Sequence, residues 1–171
     1  MLDRVIGVFK LDVNVFEEVE HDQGAIGQAA TIVAIVALLA ALGSGIGASF
    51  SDGNFFLSFI STLIWTFVSW IIWSAVTYFV GTSLLGGVAD MGEMLRVIGF
   101  AYAPQILSII PCIGWLIGVI WSLIAGFVAV RQGLDLDNTK TFFTIVVGFV
   151  VYVVGFIILG LFIGGVSALF G

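Results

Sequence analysis

FFLSFISTLIWTFVSWIIWSAVTYFVG, residues 55–81, holds no Asp, Glu, Lys, Arg or His. As an α-helix rising about 1.5 Å per residue it would measure about 40 Å, longer than the ~30 Å hydrocarbon core of a bilayer. A helix apolar on every side has no face for water, so this run predicts a membrane span. The chain around it has the same character. Of its 171 residues 61% are hydrophobic and 9% charged, with a mean hydropathy of +1.25. Soluble domains carry about 25% charged residues, so this composition cannot coat a water-facing surface.

Further apolar runs occupy about 24–50, 95–110, 113–130 and 141–170. A span takes about 20 apolar residues, and the 95–110 run is the short one. The cations decide how it is counted. Arg4, Lys10, Arg96, Arg131 and Lys140 all fall on one side if five runs cross, and are divided if the third does not. The positive-inside rule then predicts five spans, a cytoplasmic N-terminus and Gly171 outside. The expected fold is an all-α integral membrane bundle of five transmembrane helices (residues 24–171), preceded by a short amphipathic segment (residues 1–23). In that segment Leu2, Val5, Ile6 and Phe9 recur at helical spacing, followed by Val15, Phe16 and Val19. The pattern predicts one or two helices lying in the membrane interface. Basic residues do not directly precede an apolar core, so no cleavable signal is expected.

The charges also limit function. Net charge is −6, and five scattered cations form no basic stripe, which excludes nucleic-acid binding. No ionisable side chain sits deep in a run, so ion-coupled pumps and proton relays, which need one, are disfavoured. Cys112 is the only cysteine, leaving no disulfide and no thiolate metal cluster. Glu17, Glu18, Glu20, His21 and Asp22 form an acidic juxtamembrane stretch, expected to be a solvated face rather than a metal site. Gly43-Ser-Gly-Ile-Gly-Ala48 satisfies a dinucleotide-binding string but follows no strand, so it is expected to pack helices. Asp135-Leu-Asp137 begins like a calcium loop, yet its sixth position is Lys140. With one His, ahead of the first run, no nucleophile–base pair can form inside the bundle. No catalytic residue, cofactor or metal is expected.

Two constellations remain. Gly114, Gly118, Ser122 and Gly126 recur every fourth residue, as do Gly160, Gly164 and Ala168, and Gly43 with Gly47. Such faces let helix backbones approach closely, within the bundle or against a partner, which would be a second copy or another membrane protein. In Gly99-Phe-Ala-Tyr102-Ala-Pro104-Gln105, Pro104 lacks an N–H and frees the Phe100 carbonyl, so a kink is expected. Tyr102 and Gln105 either satisfy that kink or make it a polar binding site. Pro111 is expected to end the helix. Trp70 and Trp73 share a face, and Trp115 fits an interfacial anchor.

The stretch Leu95-Arg-Val-Ile-Gly-Phe-Ala-Tyr-Ala-Pro104 resembles the Yip family of membrane proteins. So do Ile109-Ile-Pro-Cys-Ile-Gly-Trp115, Ile120-Trp-Ser-Leu123, Val130-Arg-Gln132 and the lead-in Phe16-Glu-Glu-Val19. The resemblance implies five spans with a cytoplasmic N-terminus. It further implies a trafficking role between endoplasmic reticulum and Golgi in eukaryotic members, named for interacting with Rab-type GTPases. The tail here is short and lacks the acidic Leu-Tyr-Gly-Pro motif of those members, which argues against a Rab-type partner and for a prokaryotic plasma membrane. The expectation is therefore a non-enzymatic scaffold or adaptor for membrane proteins. The alternative is a passive channel or permease for a small uncharged solute.

Overall fold

The computed structural model describes residues 1–110 and 113–170, and side chains except those of 156 and 159–170. Among the described residues the chain is helical throughout. The helices are α1 (Leu2–Phe9), α2 (Val13–His21), α3 (Ala25–Ser49), α4 (Phe55–Leu85), α5 (Met91–Ala101), α6 (Gly114–Gln132) and α7 (Asn138–Phe170), with a 3-10 segment (Ala103–Ile109) after α5.

Among the described residues four helices, not five, are long and apolar enough to cross a membrane: α3, α4, α6 and α7. The expected third span is the exception. It divides into α5 and the 3-10 segment, with Pro104 in the first 3-10 turn, where its missing N–H leaves no donor unused. The broken element still runs antiparallel to α6 along most of its length. A Cβ on Gly133 would meet Val97 and Met94, one on Gly118 would meet Pro104 and Gln105, and one on Gly114 would meet Leu107 and Ile110. Pro111 and Cys112 lie outside the described residues.

Capping explains where the helices begin. Asn54 accepts from the Leu57 N–H at the start of α4. Asp137 Oδ1 accepts from the Lys140 N–H at the start of α7. Ahead of α5, Asp90 and Glu93 form a reciprocal capping box, at 2.8 and 2.5 Å, which starts that helix before the apolar run does. Asp90→Ala is expected to cost about 1 kcal/mol, seen as faster amide exchange in the first turn of α5 with the rest of the bundle unchanged. Within the spans, hydroxyls turn back on their own helices. Thr66, Thr77, Thr82 and Thr144 each donate to the carbonyl four residues earlier, which pairs these four hydroxyls within hydrocarbon.

Outside, α3, α4, α6 and α7 present a belt of exposed Leu, Ile, Val and Phe, Phe56 and Leu123 among them. Lipid is the solvent such a belt fits.

The N-terminal segment is more than a surface helix. Gly7 lies against Val15, and Arg4 pairs with Glu18 and Asp22 at 2.7 Å each, which closes α1 and α2 into an antiparallel hairpin. Phe16 and Val19 are fully buried. The hairpin is fastened to the bundle at three places. Trp121 Nε1 donates to the Phe9 carbonyl at 3.0 Å, and Gln132 Nε2 donates to Glu17 Oε1. Arg96, 5% exposed, donates from Nε and Nη2 to the Glu20 carbonyl and from Nε to that of Val19. The apolar face of α2 is thus spent on the protein. Leu2 (72% exposed) and Ile6 on α1 are left facing outward.

Candidate intramembrane binding chamber

Where α5 gives way to the 3-10 segment, α6 and α7 do not close over it. Between α4, the break, α6 and α7 lies a chamber of about 590 Å³, within the ~300–1,000 Å³ range of small-molecule sites. Its walls are mostly apolar and aromatic, including Trp65, Trp73, Phe127 and Phe149. Trp73 stands edge-on to Tyr152 at 6.1 Å between centroids, joining α4 to α7 along one wall.

The polar groups in the chamber are few and uncharged: Tyr102 and Gln105 at the break, Ser69 on α4, Ser122 on α6 and Tyr152 on α7. Tyr102 is the C-cap of α5, and Gln105 follows Pro104 by one residue, so the helix break itself aims both side chains. The Tyr102 and Ser69 hydroxyls are hydrogen-bonded to each other, and Ser69 also donates to the Thr66 carbonyl at 3.0 Å. Ser122 Oγ is buried with no partner. Gln105 makes no hydrogen bond through its amide among the described residues, and it also lines a second cavity of about 350 Å³ against α3. A free amide and an unpartnered hydroxyl in an apolar space are what an uncharged molecule with a carbonyl or hydroxyl group would satisfy.

The small-residue face of α6 is split by this geometry. Gly114 and Gly118 are used inside the bundle: a Cβ would fall 2.1 Å from the Leu107 carbonyl oxygen and 3.1 Å from that of Pro104. Ser122 and Gly126 face the chamber instead, and a Cβ on Gly126 would meet nothing within 4 Å. Gly43 and Gly47 on α3 are also open. The surroundings of Gly160, Gly164 and Ala168 lie outside the described residues.

Sequence reasoning singled out Tyr102, Pro104 and Gln105 and placed them beside a kink. Ser69, Tyr152 and the aromatic walls were not found, since Ser and Tyr at these positions carry no local signal until α4 and α7 are packed. Trp70 belongs to the core: it is 6% exposed, and its Nε1 donates to the Leu95 carbonyl at 3.1 Å. Arg96 was counted only as a charge. Its partners are carbonyls 76 and 77 residues away, which no spacing rule reaches.

Helices clad in apolar side chains, with a broken helix inside them and a chamber at the break, define a polytopic α-helical membrane protein. The chain belongs to the Yip family: the model of the Yip1 domain matches residues 6–170. No curated protein and no solved structure matches it.

Proposed function

We propose that this Yip1-domain protein is a non-enzymatic membrane factor that takes one uncharged amphiphilic molecule from the bilayer into the chamber. The observation that carries this is the cluster of uncharged donors and acceptors, Tyr102, Gln105 and Ser122, in an otherwise apolar space. An ionised headgroup would find no countercharge among them, whereas an ester, alcohol or amide would find partners. The residues offer no acid, base and nucleophile set, which favours holding the guest over converting it.

The hairpin end gathers Arg4, Arg96 and Arg131, with Lys140 in the first turn of α7. With α5 and the 3-10 segment crossing as one broken element, these four cations share the cytoplasmic side. The chain then has five crossings, four continuous and one discontinuous, and its C-terminus lies outside.

A brominated monoacylglycerol, titrated into the protein in nanodiscs, tests the proposal by quenching Trp65 and Trp73. Quenching is expected to saturate in the wild type. It should lose its saturable part in Gly126→Phe, which fills the chamber from a position with open space. Gln105→Leu should weaken binding about fivefold, the worth of one hydrogen bond of ~1 kcal/mol. Identical curves for wild type and Gly126→Phe would contradict the proposal.

The scaffold reading keeps one observation of its own. Gly47 on α3 is open, with nothing among the described residues within 4 Å of a Cβ there, and a partner helix would dock at this position. That role is compatible with a guest in the chamber, which lies on the far side of the 3-10 segment from α3.

A further inference from the structure

On α2, Glu17, Glu20 and His21 stand at positions i, i+3 and i+4, which share one helix face. One ligand atom from each lies within 4.8 Å of the other two. The sequence assigns this face to water, and the fold does not. Glu20 is 4% exposed, and its Oε2 is buried with no hydrogen-bond partner. The cation beside it does not serve it, because Arg96 spends Nε and Nη2 on the carbonyls of Val19 and Glu20. A carboxylate in that position calls for a cation, since buried charges are paired or bound to metal.

The neighbours are arranged as a metal site's outer partners are. Gln132 Nε2 holds Glu17 by Oε1, leaving its second oxygen available. His21 Nδ1 lies 2.9 Å from the Glu17 carbonyl oxygen. With the proton on Nδ1 for that bond, Nε2 keeps the lone pair, as in most metal-ligating histidines. Two carboxylates and an imidazole suit a borderline transition cation better than Ca²⁺ or Mg²⁺, which prefer an all-oxygen shell of six or more ligands. Tetrahedral coordination at about 2.0–2.2 Å needs ligand atoms roughly 3.4 Å apart, so these side chains must close by about an ångström. His21 is exposed and Glu17 partly so, which leaves them free to do it.

We propose that Glu17, Glu20 and His21 bind one divalent transition cation of the Zn²⁺ class, which fastens α2 to the end of α6 through Glu17 and Gln132. Fourth-position water completes the shell on the exposed side. The cation closes the hairpin's polar end as Arg96 closes its backbone end.

The test uses the full chain in nanodiscs, stripped with a chelator and titrated with Zn²⁺ against a chromophoric competitor. One Zn²⁺ per chain is expected, together with slower amide exchange across α2. Glu20→Gln and His21→Ala should each weaken binding by at least about tenfold, since even outer partners are worth about 10–100-fold. Glu18→Gln, whose carboxylate faces Arg4, should leave binding unchanged. His21 is exposed, so its variant reports on the site even where Glu20→Gln disturbs folding. Equal affinity in wild type, Glu20→Gln and His21→Ala overturns the site. Displacement of Zn²⁺ by equimolar Ca²⁺ or Mg²⁺ overturns the assignment to a transition cation.

Discussion

Gly118→Leu is expected to lower the stability of the bundle by about 3 kcal/mol, the upper range for overpacking a close contact, with no change in oligomeric state. At this position even a Cβ would sit 3.1 Å from the Pro104 carbonyl oxygen and 3.3 Å from the Gln105 Cα. Both are backbone atoms, so no rotamer change can make room. An isobutyl group forces α6 away from the 3-10 segment or pushes the segment aside. Either movement shifts Tyr102 and Gln105, so binding in the chamber should be lost along with stability. Gly47→Leu supplies the contrast, because a Cβ there meets nothing within 4 Å among the described residues. It should leave stability nearly unchanged and disturb only a partner seated on α3. Thermal melts in detergent, with the oligomeric state read by native mass spectrometry, check both variants. A stable Gly118→Leu protein that loses a wild-type oligomer would mean that this face serves a partner and not the bundle.

Arg96→Met is expected to release the hairpin. The guanidinium donates to the Val19 and Glu20 carbonyls, which belong to the last turn of α2, where the helix itself supplies no donors. A cation at a helix C-terminus also meets the negative end of the helix dipole. Methionine keeps most of the side chain's volume and removes every donor. The two carbonyls then stay buried and unpaired, at ~1–3 kcal/mol each, for a total of about 3 kcal/mol. Arg96→Lys should recover only part of this, because a single ammonium cannot reproduce the fork. Amide exchange across residues 13–21 should accelerate by about a hundredfold for that free energy, while exchange in α3 and α4 stays as it was. Unchanged protection of α2 in Arg96→Met would show that burial of Phe16 and Val19 holds the hairpin without this arginine.

The class of fold was legible in composition and in runs such as residues 55–81, because hydrocarbon tolerates so little else. Reading apolar runs alone missed the start of α5, where Asp90 and Glu93 form a capping box four residues ahead of the run. The division of the third run was legible at Pro104 as a kink, though a change to 3-10 geometry was not. Apolarity carries no direction in a membrane chain, so the sequence could not say which way Gly118 faces or that Gly126 opens on a cavity. The docking of α2 was hidden for a related reason. Phe16 and Val19 have the spacing of an interfacial helix, and the same spacing serves a helix packed on protein. The chamber depends on α7 leaning on α4 through Gly148, Trp73 and Tyr152, a contact between segments about 75 residues apart in sequence.

The most direct measurement is native mass spectrometry of the chain ejected from its own membrane, compared with Gly126→Phe prepared in the same way. One uncharged lipid-like molecule bound per wild-type chain, and none on the variant, is the result the account predicts. A bare wild-type chain, or a bound molecule that persists in Gly126→Phe, would contradict it.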